Sequence, residues 1–187
     1  PPRCARALCR SRRVTPDDRR AHLARAAELV PDGARRGREY CVALAKITDA
    51  WVVELFEAAL AAHPTKHRVA LLAVGGYGRG ELAPHSDLDL LLLHPGGKVA
   101  EVSDRIWYPI WDSGLRLDHS VRTVSEARRM AAADIRVVLG LLDARTVTGD
   151  ESATATLKTS VLADWRALAP TRLPELQAFV RERRASH

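Results

Sequence analysis

A chain of 187 residues with a hydrophobic fraction of 47% is long enough for one domain with a buried core. Its apolar runs stop short of the roughly 20 residues a membrane span needs, and residues 1–13 lack the apolar stretch of a secretory signal. The net charge of +6 is lopsided: residues 1–38 hold eleven arginines against four acids, leaving −1 for the rest. That is a basic tail rather than a basic groove, which argues against nucleic acid as a partner. Cys4, Cys9 and Cys41 match no zinc spacing and read as reduced thiols of a cytoplasmic protein.

In chain order, Thr15-Pro16-Asp17-Asp18 is a helix start, with a Thr cap, Pro at the first position and acids behind it. A short helix to about Val30 and a turn at Pro31-Asp32-Gly33 complete a tail over residues 1–37. Residues 1–14 have no apolar period, so deleting them is expected to leave the melting temperature unchanged, as a thermal melt of the shortened chain would show. Arg38 to His63 reads as a long amphipathic helix. Cys41, Leu44, Trp51, Leu55 and Ala59 recur at helical spacing, and Trp51 and Phe56 read as core.

Val69 to Val74 is an apolar strand that enters a turn with Gly75, Gly76, Gly78 and Gly80. A short helix, Pro84-His85-Ser86-Asp87 and a second apolar strand, Leu88 to Leu93, follow. On a strand, residues two apart share a face with Cα atoms roughly 6.5–7 Å apart. Asp87 and Asp89 therefore project together, with Leu88, Leu90 and Leu92 on the other face. Two carboxylates this close repel unless a cation sits between them, and an all-oxygen ligand set suits Mg²⁺ together with substrate phosphates. Glycine lets backbone N–H groups approach a phosphate closely. The loop lacks the Lys of a P-loop and the third glycine of a dinucleotide fingerprint.

Beyond Pro95-Gly96-Gly97, Val99 to Asp112 reads as a helix that Pro109 bends or ends. Leu115 to Val121 alternates as a third strand, with Leu115, Leu117, His119 and Val121 on one face. Arg116, Asp118, Ser120 and Arg122 take the other, and His119 reads as a half-core histidine. Helices are expected over Val124–Ala132, Asp134–Ala144 and Ser152–Leu168, with Pro170 and Pro174 breaking the last.

The string G-G-Y-G-R-G-E-L followed by P-H-S-D-L-D-L-L-L resembles the polymerase-β-type nucleotidyltransferases. More closely, it is similar to the family of bifunctional uridylyltransferase/uridylyl-removing enzymes that act on the PII nitrogen-signalling protein. Leu117-Asp118-His119-Ser120, Leu142-Asp143-Ala144-Arg145 and Gly149-Asp150 carry the resemblance onward, from about Trp51 to Asp150.

The resemblance implies an α+β fold, a small mixed sheet flanked by helices, over residues 38–150, with 151–187 a helical extension. It implies transfer of UMP from UTP, or AMP from ATP, to a tyrosine hydroxyl of PII. Asp87 and Asp89 would hold two Mg²⁺ ions, and Asp118, where the family often has glycine, would add a third carboxylate. Gly75, Gly76 and Ser86 would bind the phosphates, and Arg79 would neutralise the triphosphate. The family's HD hydrolase and ACT domains have no counterpart in this sequence, so uridylyl removal and glutamine sensing are not expected of it.

Overall fold

The computed structural model describes residues 37–65 and 68–185. The helix expected at Thr15–Val30, the arginine-rich tail, Cys4 and Cys9 lie outside them. Helix α1 spans Arg38–Ala62, strand β1 Ala70–Ala73, the one-turn helix α2 Gly75–Gly78 and strand β2 Leu88–Leu93. Helix α3 covers Ala100–Asp112, strand β3 Leu117–Arg122, and helices α4 and α5 Val124–Ala133 and Ile135–Leu142. Strand β4, Arg145–Gly149, and helix α6, Glu151–Ala185, complete the described chain.

The four strands form one mixed sheet in the order β3-β2-β1-β4. β1 runs antiparallel to β2 and to β4, whereas β2 and β3 run parallel. Both faces of the sheet are covered. Leu71, Ala73, Leu88, Leu90 and Leu92 join Trp51, Leu55 and Phe56 of α1 and Ile106 and Ile110 of α3 in one core. Ala70, Leu72, Leu91 and Leu93 join α4, α5 and the first half of α6 in the other. A sheet buried on both sides reads as near-continuous apolar sequence, and β2 departs from that pattern only at half-buried Asp89.

Two features correct the sequence-based picture. Residues 145–149 were not expected to be extended, yet they form an edge strand paired with β1 through an irregularity at Leu71/Leu72. Gly149 lets that strand close on its neighbour: its φ is +96°, and a Cβ there would lie 2.3 Å from Val69 O. The second correction is α6, which continues through Pro170 and Pro174. Proline removes an amide donor and crowds the preceding turn, but packing anchors this helix on both sides of the pair. Leu157 and Val161 are buried before it. After it, Leu176 and Phe179 pack on the second core, and between them Arg172 Nη1 donates to Ala131 O of α4 at 2.7 Å.

Candidate active site

The glycine turn, β2 and β3 meet at one end of the sheet. Val74 N donates to Asp89 O at 3.1 Å, tying the exit of β1 to β2. The chain then turns within one helical turn: Gly78 N donates to Val74 O and Arg79 N to Gly75 O, at 2.9 and 3.3 Å. The first amides of a helix have no partner within it, which leaves those of Gly75 and Gly76 at the head of α2. Gly75 has φ +58°, and a Cβ on it would stand 3.0 Å from Asp89 Oδ2. The loop therefore touches the carboxylate because its first residue has no side chain.

Asp118 lies opposite Asp89 in the parallel β2–β3 register. Burial, then the charges of Asp118 and Asp87, push the Asp89 carboxyl up to about 6. Asp87 lies one residue ahead of β2, exposed, and ion-pairs with Arg116 Nε at 2.7 Å. Arg116 also donates to His85 O at 2.5 Å, so it holds the S-D segment rather than Asp118. Among the described residues no group of three or more His, Cys, Asp or Glu is arranged to hold a metal ion. Asp89 and Asp118 are nevertheless a donor pair whose mutual repulsion a divalent cation would relieve, and their all-oxygen chemistry fits Mg²⁺.

An open groove of about 1040 Å³ runs past these residues, lined by Gly75, Gly76, Arg79, Asp89 and Asp118 on one side. Arg136, Gly140, Phe179 and Arg183 line the other. Ser86 lies outside this lining: its hydroxyl donates to Ala83 O at 2.9 Å and closes the turn before β2. Arg79 reaches the groove but is engaged by Asp143 Oδ2 at 2.6 Å. His119 is half-buried as expected, with its ring 5.2 Å from Trp107 and 5.1 Å from Trp111.

Sequence reasoning missed the far wall. Arg136 follows Asp134, whose carboxylate caps α5 by accepting from Arg136 N at 2.7 Å. The Arg136 guanidinium lies 5.6 Å from the Phe179 ring, a cation–π distance. Phe179 and Arg183 come from the part of α6 beyond the prolines, where the sequence pointed to a broken helix.

The raised Asp89 pKa has a measurable consequence. An unfolded carboxyl titrates near 3.9, so the folded chain favours protonated Asp89. The associated stability is complete below about pH 4 and is lost as pH rises through about 6. Asn cannot ionise. In the absence of divalent cations, the melting temperature of Asp89→Asn relative to the parent is expected to rise between pH 4 and 7 and then level off. A difference that stays flat across that range would contradict the upward shift that burial and the neighbouring carboxylates impose on Asp89.

Residues 54–147 match the model of the nucleotidyltransferase domain family. Over 158 residues, 83% of this chain, the sequence is 56% identical to the bifunctional uridylyltransferase/uridylyl-removing enzyme of Streptomyces coelicolor. Over 110 residues, 57% of the chain, it is 49% identical to the protein of the same name in Mycobacterium tuberculosis. The chain spans only 19% and 14% of those two relatives. A toxin–antitoxin crystal structure superposes with a TM-score of 0.45 at 9% identity, covering 71% of this chain and 98% of that one.

Proposed function

The chain belongs to the nucleotidyltransferase domain family, and from that premise we propose that it transfers UMP from UTP to a tyrosine hydroxyl of a PII-type signalling protein in the cytoplasm. The observation that carries this reading is the contact of the Gly75 turn with Asp89, across from Asp118, on a groove large enough for a nucleotide. The names of the relatives support a uridylyl group as what is transferred, and the protein acceptor follows from the family resemblance of the glycine and S-D-L-D string.

In this reading the amides of Gly75 and Gly76 receive the β- and γ-phosphates, and Arg79 leaves Asp143 to meet their charge. The acceptor hydroxyl attacks the α-phosphorus from the side of Asp118, the bond to pyrophosphate breaks, and the phenolic proton passes to a carboxylate or to water. Asp89 and Asp118 would hold Mg²⁺, joined by Asp87 once it is released from Arg116. Bound Mg²⁺ supplies neutralisation of the attacking and leaving oxygens. Ser86 supports the S-D turn and donates to phosphate only if it gives up Ala83 O.

The test is to incubate the chain with Mg²⁺, labelled UTP or ATP, and PII, following label on the protein and pyrophosphate in solution. Label from UTP supports the proposal. Label from ATP alone would make the chain an adenylyltransferase. Nucleotide binding without transfer would favour a nucleotide-binding module, the state in which Asp87 stays with Arg116.

A further inference from the structure

Tyr77 stands in the middle of the glycine turn, yet it is buried and points away from the groove toward α1. Its hydroxyl donates to Asp49 Oδ1 at 2.6 Å. Arg145, the first residue of β4, grips the same carboxylate with two nitrogens, Nη1 to Oδ2 and Nη2 to Oδ1, each at 3.0 Å. Nη2 also donates to Tyr77 O at 3.3 Å, and the guanidinium lies 5.5 Å from the Tyr77 ring. The segment leading into β4 supports the turn at two further points. Asp143 Oδ2 accepts from Arg79 at 2.6 Å, and a Cβ on Gly78 would lie 2.3 Å from Asp143 O.

Helix α1, the turn and the edge strand are thus joined at one side chain of the glycine motif. Simple space-filling does not account for this choice. A partly buried ion pair brings little net stability compared with apolar residues of the same volume. This one also leaves Arg145 Nε buried without a partner. What a bidentate guanidinium does provide is fixed geometry, here for the peptide that carries the Gly76 and Gly78 neighbours. Burial, and then the Asp49 charge, hold the Tyr77 phenol well above its ordinary range, so it remains a donor at any working pH.

We propose that Asp49, Tyr77 and Arg145 are positioning residues that hold the Gly75–Gly78 turn in the shape that receives the triphosphate, an inference that rests on the phosphate-binding role proposed above. None of the three lines the groove, so each acts through the turn. Their contribution should scale with the number of phosphates on the ligand, because the nucleoside end of a nucleotide lies beyond the turn.

The experiment titrates Mg²⁺–UTP and Mg²⁺–UMP, and in parallel Mg²⁺–ATP and Mg²⁺–AMP, into the 187-residue chain and into Tyr77→Phe, with a thermal melt of each. Phe keeps the buried ring and leaves Asp49 paired with Arg145, so Tm should move little. Loss of a hydrogen bond to a charged group should weaken triphosphate binding about tenfold, with monophosphate binding unchanged. Asp49→Ala should weaken it further, and adding Tyr77→Phe to Asp49→Ala should cost nothing more, because the hydroxyl then has no carboxylate to act through. A purely structural role would lower Tm and leave the folded protein's preference for triphosphate intact. Equal triphosphate affinity in parent and Tyr77→Phe, or equal losses for tri- and monophosphate, overturns the inference alone. A parent chain that binds no nucleotide overturns the proposed function, and this inference with it.

Discussion

Asp89→Asn is expected to reduce nucleotidyl transfer by about 10³-fold or more while the chain stays folded, a barrier increase of about 4 kcal/mol. Asn preserves the shape of the one polar position in β2, and its neighbours already disfavour the negative charge it removes. Activity therefore falls without a corresponding loss of stability. The cation dependence separates the two effects. At pH 8, Mg²⁺ should raise the melting temperature of the parent by binding the folded state, and should leave that of Asp89→Asn where it was. Asp87→Asn is expected to lose activity to a similar order if Asp87 leaves Arg116 in the working site. A fully active Asp87→Asn would assign that residue to Arg116 and reduce the metal set to Asp89 and Asp118. A fully active Asp89→Asn would remove the carboxylate from the mechanism. Initial rates of pyrophosphate release, read beside thermal melts, decide each case.

The parts of the fold that were legible in the sequence are those whose signals are local. The leucines of β2 form an unbroken apolar run, and only Asp89 interrupts it, so strand and carboxylate were both apparent. Helix α1 announced itself by Leu44, Trp51 and Leu55, all of which are buried. Strand β4 was missed because Arg-Thr-Val-Thr-Gly is short and half-buried on its alternating faces. Its pairing with β1 depends on Gly149 and on a partner 72 residues or more earlier in the chain. The continuity of α6 was missed for the opposite reason. Two prolines are strong local signals, and distant anchors at Ala131 O and around Phe179 override them. The same limit applies to the site. Asp87, Asp89 and the glycines lie in one stretch of sequence, whereas Asp49 and Arg145, 96 residues apart, reveal their common purpose only when both reach Tyr77.

Gly78→Ala is expected to be the most destabilising single change in the glycine turn. A Cβ at this position would lie 2.3 Å from Asp143 O and 3.0 Å from Ala73 O. Both obstacles are backbone, so neither can rotate aside. Overpacking of this kind costs about 3 kcal/mol, which for a chain of this length is a fall of roughly 6–12 °C in Tm. Relief requires β1 and the segment before β4 to separate, and that movement would pull Arg145 from Tyr77. Triphosphate binding should fall along with stability. Gly76 is the control within the same turn. Its φ is not positive, and a Cβ there would meet only Glu81 O at 3.6 Å and Arg79 Nη2 at 3.7 Å, ordinary contacts. Gly76→Ala should therefore melt close to the parent. If the head of the turn is where phosphate approaches, Gly76→Ala should still bind Mg²⁺–UTP more weakly, because its methyl group projects beside the amides that would receive the ligand. Calorimetric Tm and nucleotide titration on the two variants separate packing from recognition. A Gly78→Ala chain that melts with the parent would show that the segment before β4 does not support the turn. A Gly76→Ala chain that binds Mg²⁺–UTP as the parent does would move the phosphate site off the turn.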